Sequence, residues 1–228
     1  MSLLLVPGFM ADETLWADVL GALEPFGPVL HADLRHDSSI EAMARRVLAN
    51  APPSFILVGF SMGAYVAREM ARLAPARVRA LVLIATSARG DSEAVRRRKG
   101  AMSPAAPAAA FVGLSRAAIV SSLAPASSAD EALIERVRAM GARLGGEVFR
   151  RQSMLVRAGD IERLHEIACP TLVVAAAHDQ LRGVDEAEEV RDGIAGATLA
   201  VIEDSGHMIP LEAPRRLAAL MVDWLAAR

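Results

Sequence analysis

The chain has 228 residues, of which 53% are hydrophobic and 23% charged, and a formal net charge of −2. That length suits one large α/β domain, and a chain of this size buries roughly 70% of its unfolded surface, so its core needs no disulfides. The near-neutral charge gives no bulk attraction for nucleic acid or a membrane surface, and the single cysteine, Cys169, has no partner for an internal disulfide, which fits a reducing compartment.

The start, Met1 to Gly8, has no basic segment, and its apolar run is too short for a signal peptide or a membrane span. It reads as a buried strand over Leu3 to Val6, and a soluble cytoplasmic protein is the expectation. Asp12 is placed to cap a helix carrying Leu15, Trp16, Val19, Leu20 and Leu23 on one face. A short strand follows over Pro28 to Ala32. Ile40 to Asn50 reads as a helix with Met43, Val47 and Leu48 inward, stopped before Pro52 and Pro53. Phe55 to Val58 reads as a strand and Met62 to Leu73 as a helix. Val78 to Ala85, Thr171 to Ala176 and Thr198 to Ile202 read as further strands. A last helix over Pro214 to Ala227 buries Leu217, Leu220, Met221 and Leu225. Near-continuous apolar strands separated by helices predict a parallel sheet covered on both faces.

The stretch from Gly90 to Glu166 breaks this alternation with helical patterns and no clear strand. Asp130 to Leu144 carries Leu133, Val137, Met140 and Leu144 on one side, and Glu147 to Arg157 reads as another helix. Pro104 to Ala110 has a hinge-like composition. The cluster Arg96-Arg97-Arg98-Lys99 reads as a solvated helix face. The division expected is a core of residues 1–89 and 167–228 with a helical cap over 90–166, placed at the C-terminal edge of the sheet where open α/β sheets bind ligands.

The strongest chemical signal is Gly59-Phe60-Ser61-Met62-Gly63, a serine between two glycines at a strand-to-helix turn. That turn is a nucleophile elbow: small flanking residues let the backbone bend sharply and lift the hydroxyl to a helix N-terminus, where free N–H groups stabilise an oxyanion. A serine hydroxyl needs a base, and the base needs an orienting anion. Of the five histidines, only His207 combines a Gly-containing loop with a position just past a strand and late in the chain. His31, His36, His165 and His178 lack that combination. Asp179, after the strand ending at Ala176, suits the acid; Asp91, farther beyond its strand, is the rival, and Asp204 is too near His207 in sequence. The backbone N–H groups of Met62 and Phe9 are the expected oxyanion donors, with Gly8 allowing the close approach of the first loop.

These motifs resemble the α/β-hydrolase superfamily, of the small esterase and C–C hydrolase type. Gly59 to Gly63 is similar to its nucleophile elbow, Pro170 to Val174 leading to Asp179 to its acid-bearing strand, and Ser205 to Pro214 to the loop around its histidine. Arg151, Gln152, Arg157, Asp160, Leu164 and Ile167 look like its tether from cap to core. The family's early His-Gly is Pro7-Gly8 here, and its glycine-rich loop is Asp33-Leu34-Arg35-His36-Asp37-Ser38. The chain begins near what would be the family's third strand, so the resemblance implies a sheet of about six mostly parallel strands rather than the usual eight.

The resulting expectation is an esterase with Ser61, Asp179 and His207 as triad, no metal and no cofactor, acting on a small-molecule ester. Phe111, Leu114, Met140, Phe149 and Met154 either line an apolar pocket or only pack. A C–C hydrolase, a hydroxynitrile-type lyase, which would want an added ionisable group such as His36, and a slow-turnover ligand sensor use the same residues. Oligomeric state is not legible.

Overall fold

A computed structural model of the chain describes residues 1–101 and 111–228. The sheet has six strands: β1 (Ser2–Val6), β2 (Val29–His31), β3 (Phe55–Phe60), β4 (Val78–Ile84), β5 (Thr171–Ala176) and β6 (Thr198–Ile202). Their spatial order is β2-β1-β3-β4-β5-β6, and every neighbouring pair is parallel. β1 and β3 align Val6 with Gly59, which sets the first loop beside the turn after β3.

Alternation along the central strands divides the core in two. Leu3, Leu5, Ile56, Val58, Val82, Ile84, Leu172 and Val174 face one layer with Trp16 and α9 (Pro214–Ala226). Leu4, Val6, Leu57, Leu81, Leu83, Val173 and Ala175 face the other with α2 (Ile40–Asn50), α3 (Met62–Leu73) and α7 (Val184–Gly193). Both faces are apolar because each must be covered by helices. α3 is buried along nearly its whole length, from Met62 to Ala71, since it packs on β3, β4 and β1 and against α2.

The stretch after Asp12 and the end of β3 differ from the sequence expectations. The helix expected after Asp12 is broken into a 3-10 turn over Glu13–Trp16, the short α1 (Leu20–Leu23) and a second 3-10 turn over Glu24–Phe26. Asp12 does cap the first turn, its Oδ1 accepting from the Thr14 N–H at 3.0 Å. Gly21 and Pro25 weaken a continuous helix here, while Leu15, Trp16, Val19 and Leu23 still reach the core. β3 runs two residues beyond Val58, carrying pairing through Gly59 and Phe60 up to the serine.

Between Gly90 and Glu166 the described residues form α4 (Glu93–Ala101), α5 (Arg116–Val120), α6 (Glu131–Ser153) and two 3-10 turns, with no strand among them. α6 is two helices joined at Gly145, whose φ of 79° and ψ of 173° interrupt the helical path. The second half ends at Ser153, short of Arg157, which instead pairs with Asp91. Arg96 and Arg97 are exposed on α4, and the hinge-like segment expected over 104–110 lies outside the described residues.

Arg68, fully buried on α3, ties this segment to the core. Its guanidinium donates to both carboxylate oxygens of Asp160 at 2.8 and 2.7 Å and also reaches Thr86 and the Ser87 carbonyl. Arg72 adds a bond to Asp160 at 2.9 Å. Burial alone would raise the Asp160 carboxyl, but the two guanidiniums outweigh it and hold the group below the usual carboxylate range.

Candidate active site

Ser61 sits between β3 and α3 with φ 51° and ψ −114°. An L-residue in that region is strained by about 1–3 kcal/mol, and such strain persists only where the surroundings enforce it. Here the Ser61 N–H donates to the Ile84 carbonyl at 2.9 Å, which pins the backbone at the turn. A Cβ on Gly59 would lie 2.7 Å from the Gly63 carbonyl oxygen, and one on Gly63 would lie 2.3 Å from the Val6 oxygen. Both glycines of the motif are therefore demanded by close backbone approach.

His207 reaches the serine from the loop between β6 and α8 (Ile209–Glu212). Its Nε2 lies 2.9 Å from Ser61 Oγ and its Nδ1 lies 2.7 Å from Asp179 Oδ2. Asp179 follows β5, and its second oxygen accepts from the Leu181 and Arg182 N–H groups at 2.7 and 2.9 Å. That local turn orients the carboxylate through bonds that do not involve the histidine. Both side chains are nearly buried, at 0% and 7% exposure, so the bonds act in a weakly screened setting. The Phe60 ring covers the imidazole at 5.2 Å, and Trp16 meets Phe60 edge-on. The rival acid, Asp91, is held by Arg157 at 2.7 Å, and Asp204 pairs with Arg216 at the surface. His36 also lies at the surface, 3.1 Å from Asp33.

Met62 opens α3, where the first amide N–H groups lack intrahelical acceptors. The loop bearing Phe9 is pressed against the serine: a Cβ on Gly8 would lie 3.3 Å from Ser61 Cβ. Met10, at φ 51°, donates its N–H to Gln152 Oε1 at 2.9 Å, and Gln152 is buried on the second half of α6. An imidazole set between a hydroxyl and a carboxylate, with free amides at a helix start, can take the hydroxyl's proton and hold charge on an oxygen attached to the serine. Among the described residues no three His, Cys, Asp or Glu side chains gather as a metal site.

Phe149 stacks on Phe111 with centroids 4.6 Å apart and lies 5.9 Å from Phe9, so an aromatic row starts at the loop beside the serine. The other expected lining residues diverge. Met140 is buried in the core, Leu114 is half-buried against that core, and Met154 is 43% exposed. Gln152 was visible in the sequence only as part of the tether, and its bond to the first loop had no local signal. Glu212, which binds the backbone on both sides of His207, was visible only as a carboxylate on the turn after the histidine loop.

Comparison with known proteins agrees with this architecture. A 49-residue stretch is 51% identical to pimeloyl-[acyl-carrier protein] methyl ester esterase of Klebsiella pneumoniae (strain 342), covering 22% of this chain and 19% of that protein. Another of 66 residues is 33% identical to monoacylglycerol lipase abhd6-A of Xenopus laevis, covering 29% of this chain and 20% of that lipase. The chain thus spans about a fifth of the length of each of these two relatives. The structure of a thermophilic esterase from Thermogutta terrifontis, solved with malate bound, superposes with a TM-score of 0.83 at 26% identity, over 100% of this chain and 90% of that one. The family-wide pattern of the alpha/beta hydrolase family matches residues 3–220, and the chain belongs to that family.

Proposed function

We propose that the protein is a serine hydrolase that cleaves a carboxylic ester through an acyl-enzyme. The observation that carries this reading is His207 standing 2.9 Å from Ser61 Oγ and 2.7 Å from Asp179 Oδ2. His207 takes the Ser61 proton as the hydroxyl attacks the ester carbonyl. The Phe9 and Met62 N–H groups receive the oxyanion. Asp179 holds the imidazole with its proton on Nδ1, stabilises the imidazolium, and lets Nε2 deliver the proton to the leaving alcohol. Water then repeats the sequence in reverse on the acyl-serine. No step calls for a metal or cofactor.

The relatives named as esterases and a lipase support ester chemistry. The row from Phe9 to Phe149 and Phe111 supports an apolar group beside the scissile bond. In this reading residues 90–166 form a cap on a core of 1–89 and 167–228, and the cap's aromatic residues select the substrate. The test is a fluorophosphonate probe on wild type and Ser61→Ala, followed by p-nitrophenyl esters of varied acyl length beside cyanohydrins and diketones. Labelling that is lost in Ser61→Ala, with turnover confined to esters, is the expected result. Equal labelling of both proteins overturns the reading.

A further inference from the structure

We propose that Glu212 is a positioning residue for His207 and that it joins the cap to the catalytic loop; this rests on the serine-hydrolase reading above. Glu212 ends α8. Its Oε1 accepts from the N–H groups of Gly206 and Met208, both at 3.1 Å. Those are the two residues flanking His207. Its Oε2 accepts from the Ala124 N–H at 2.7 Å, in the segment between α5 and α6. The His207 N–H itself donates to the Ser122 carbonyl at 2.8 Å. Three successive amides of the histidine loop are thus held, two by the carboxylate and one by the cap backbone.

The contact is close as well as polar. A Cβ on Gly206 would lie 2.3 Å from the Ala124 nitrogen and 2.5 Å from the Leu123 carbonyl carbon. The loop and the cap segment therefore meet backbone to backbone, and Gly206 is what permits it. Asp179 fixes the rotation of the imidazole, but it does not fix where the ring's backbone stands. Glu212 and Ser122 do. Bonds to an ionised acceptor are stronger than those between neutral groups, so one carboxylate can hold three amides in place.

The geometry also says why this residue is a carboxylate. An amide at this position has one acceptor oxygen. It can bracket His207 or bind Ala124, and in either choice its NH2 faces a backbone donor. An aspartate is one methylene short of the same reach. Misplacing a reacting group by about 1 Å costs on the order of 10²-fold in rate. Loosening the His207 loop should therefore appear in kcat, while the apolar contacts that set KM stay.

The experiment compares Glu212→Ala, Glu212→Gln and Glu212→Asp with wild type on a short p-nitrophenyl ester, with fluorophosphonate labelling of Ser61 in wild type as the control and thermal melting as the check of folding. The expected result is a folded Glu212→Ala whose kcat falls on the order of 10²-fold with KM changed less than about threefold, and a smaller loss of about tenfold in Glu212→Gln. Glu212→Asp, which keeps the charge, should recover part of the loss. Wild-type kcat in a folded Glu212→Ala, with Ser61 labelled, overturns this proposal alone. Absence of Ser61 labelling in wild type overturns the serine-hydrolase reading and this proposal with it. If Glu212→Ala does not fold, the isosteric Glu212→Gln decides: unchanged kcat overturns the proposal, and a selective fall in kcat supports it.

Discussion

Asp179 meets His207 with one carboxylate oxygen, 2.7 Å from Nδ1, while its other oxygen is occupied by the N–H groups of Leu181 and Arg182. The carboxylate is aimed by its own loop. Replacing it by asparagine keeps the size and one acceptor but offers an NH2 that turns the imidazole toward the wrong tautomer. On the proposed mechanism, Asp179→Asn lowers kcat on the order of 10⁴-fold, as in the triad template, and Asp91→Asn does not. Steady-state kinetics of the two variants on the same ester checks this. A loss confined to Asp91→Asn would place the acid at Asp91, and comparable losses in both would show that Asp179 is not the group that sets the histidine.

The elbow glycines and a helix glycine offer a contrast in stability. A Cβ on Gly63 would lie 2.3 and 2.4 Å from the Val6 and Pro7 carbonyl oxygens, which belong to backbone that cannot step aside cheaply. Gly63→Ala is expected to cost about 3 kcal/mol and to displace the serine. Gly21, in α1, has nothing within 4 Å of its would-be Cβ and no positive φ. Gly21→Ala should gain about 0.5–1 kcal/mol by restricting the unfolded chain. Urea midpoints of the two variants should move in opposite directions.

Gln152 is expected to matter for the first loop. Its Oε1 accepts the Met10 N–H at 2.9 Å and its Nε2 donates to the Leu34 carbonyl at 3.4 Å, so an α6 side chain holds the loop next to Phe9. Gln152→Leu leaves the Met10 N–H buried without its acceptor, at a cost of about 1–3 kcal/mol. If Phe9 N–H is an oxyanion donor, kcat falls about tenfold or more while KM moves little. A loss of stability with unchanged kcat would show that Gln152 braces the loop without serving the oxyanion.

The sheet was legible because its strands are continuous apolar runs, and Ser61 was legible because only glycines fit beside it. Asp179 and Asp91 both stand after strands, and the sequence favours Asp179 only because it lies nearer its strand end. What separates them in space is the engagement of Asp91 by Arg157, sixty-six positions away. α7 escaped the sequence reading because only Ala187 and Val190 of its charged length are buried, too few to mark an apolar face. The broken helix after Asp12 was misread because burial of Leu15, Trp16, Val19 and Leu23 imitates one continuous helical stripe. Glu212 and Gln152 bind backbone rather than side chains, and backbone partners distant in sequence leave no pattern along the chain.

Arg68 and Asp160 give the fold a dependence on acidity. Burial would raise the Asp160 carboxyl, yet Arg68 and Arg72 hold it below its ordinary value. An unfolded aspartate has a pKa of about 3.9. Its folded value lies lower, so below that point the unfolded chain binds a proton that the folded chain refuses. The stabilising contribution is complete above about pH 4 and is lost as the pH falls through the folded value. Asp160→Asn removes this contribution and leaves Arg68, at 0% side-chain exposure, without its carboxylate. The variant should be less stable at neutral pH by about 3–5 kcal/mol. It should also lose less further stability than wild type on acidification, because the difference between the two proteins shrinks once Asp160 is protonated. Other depressed carboxyls, Asp12, Asp33, Glu166 and Asp185, are common to both proteins and cancel in that difference. Urea unfolding of both proteins from neutral pH down through about pH 3 measures it. A gap between them that stays constant with pH would show that Asp160 is not the group that carries this acid sensitivity.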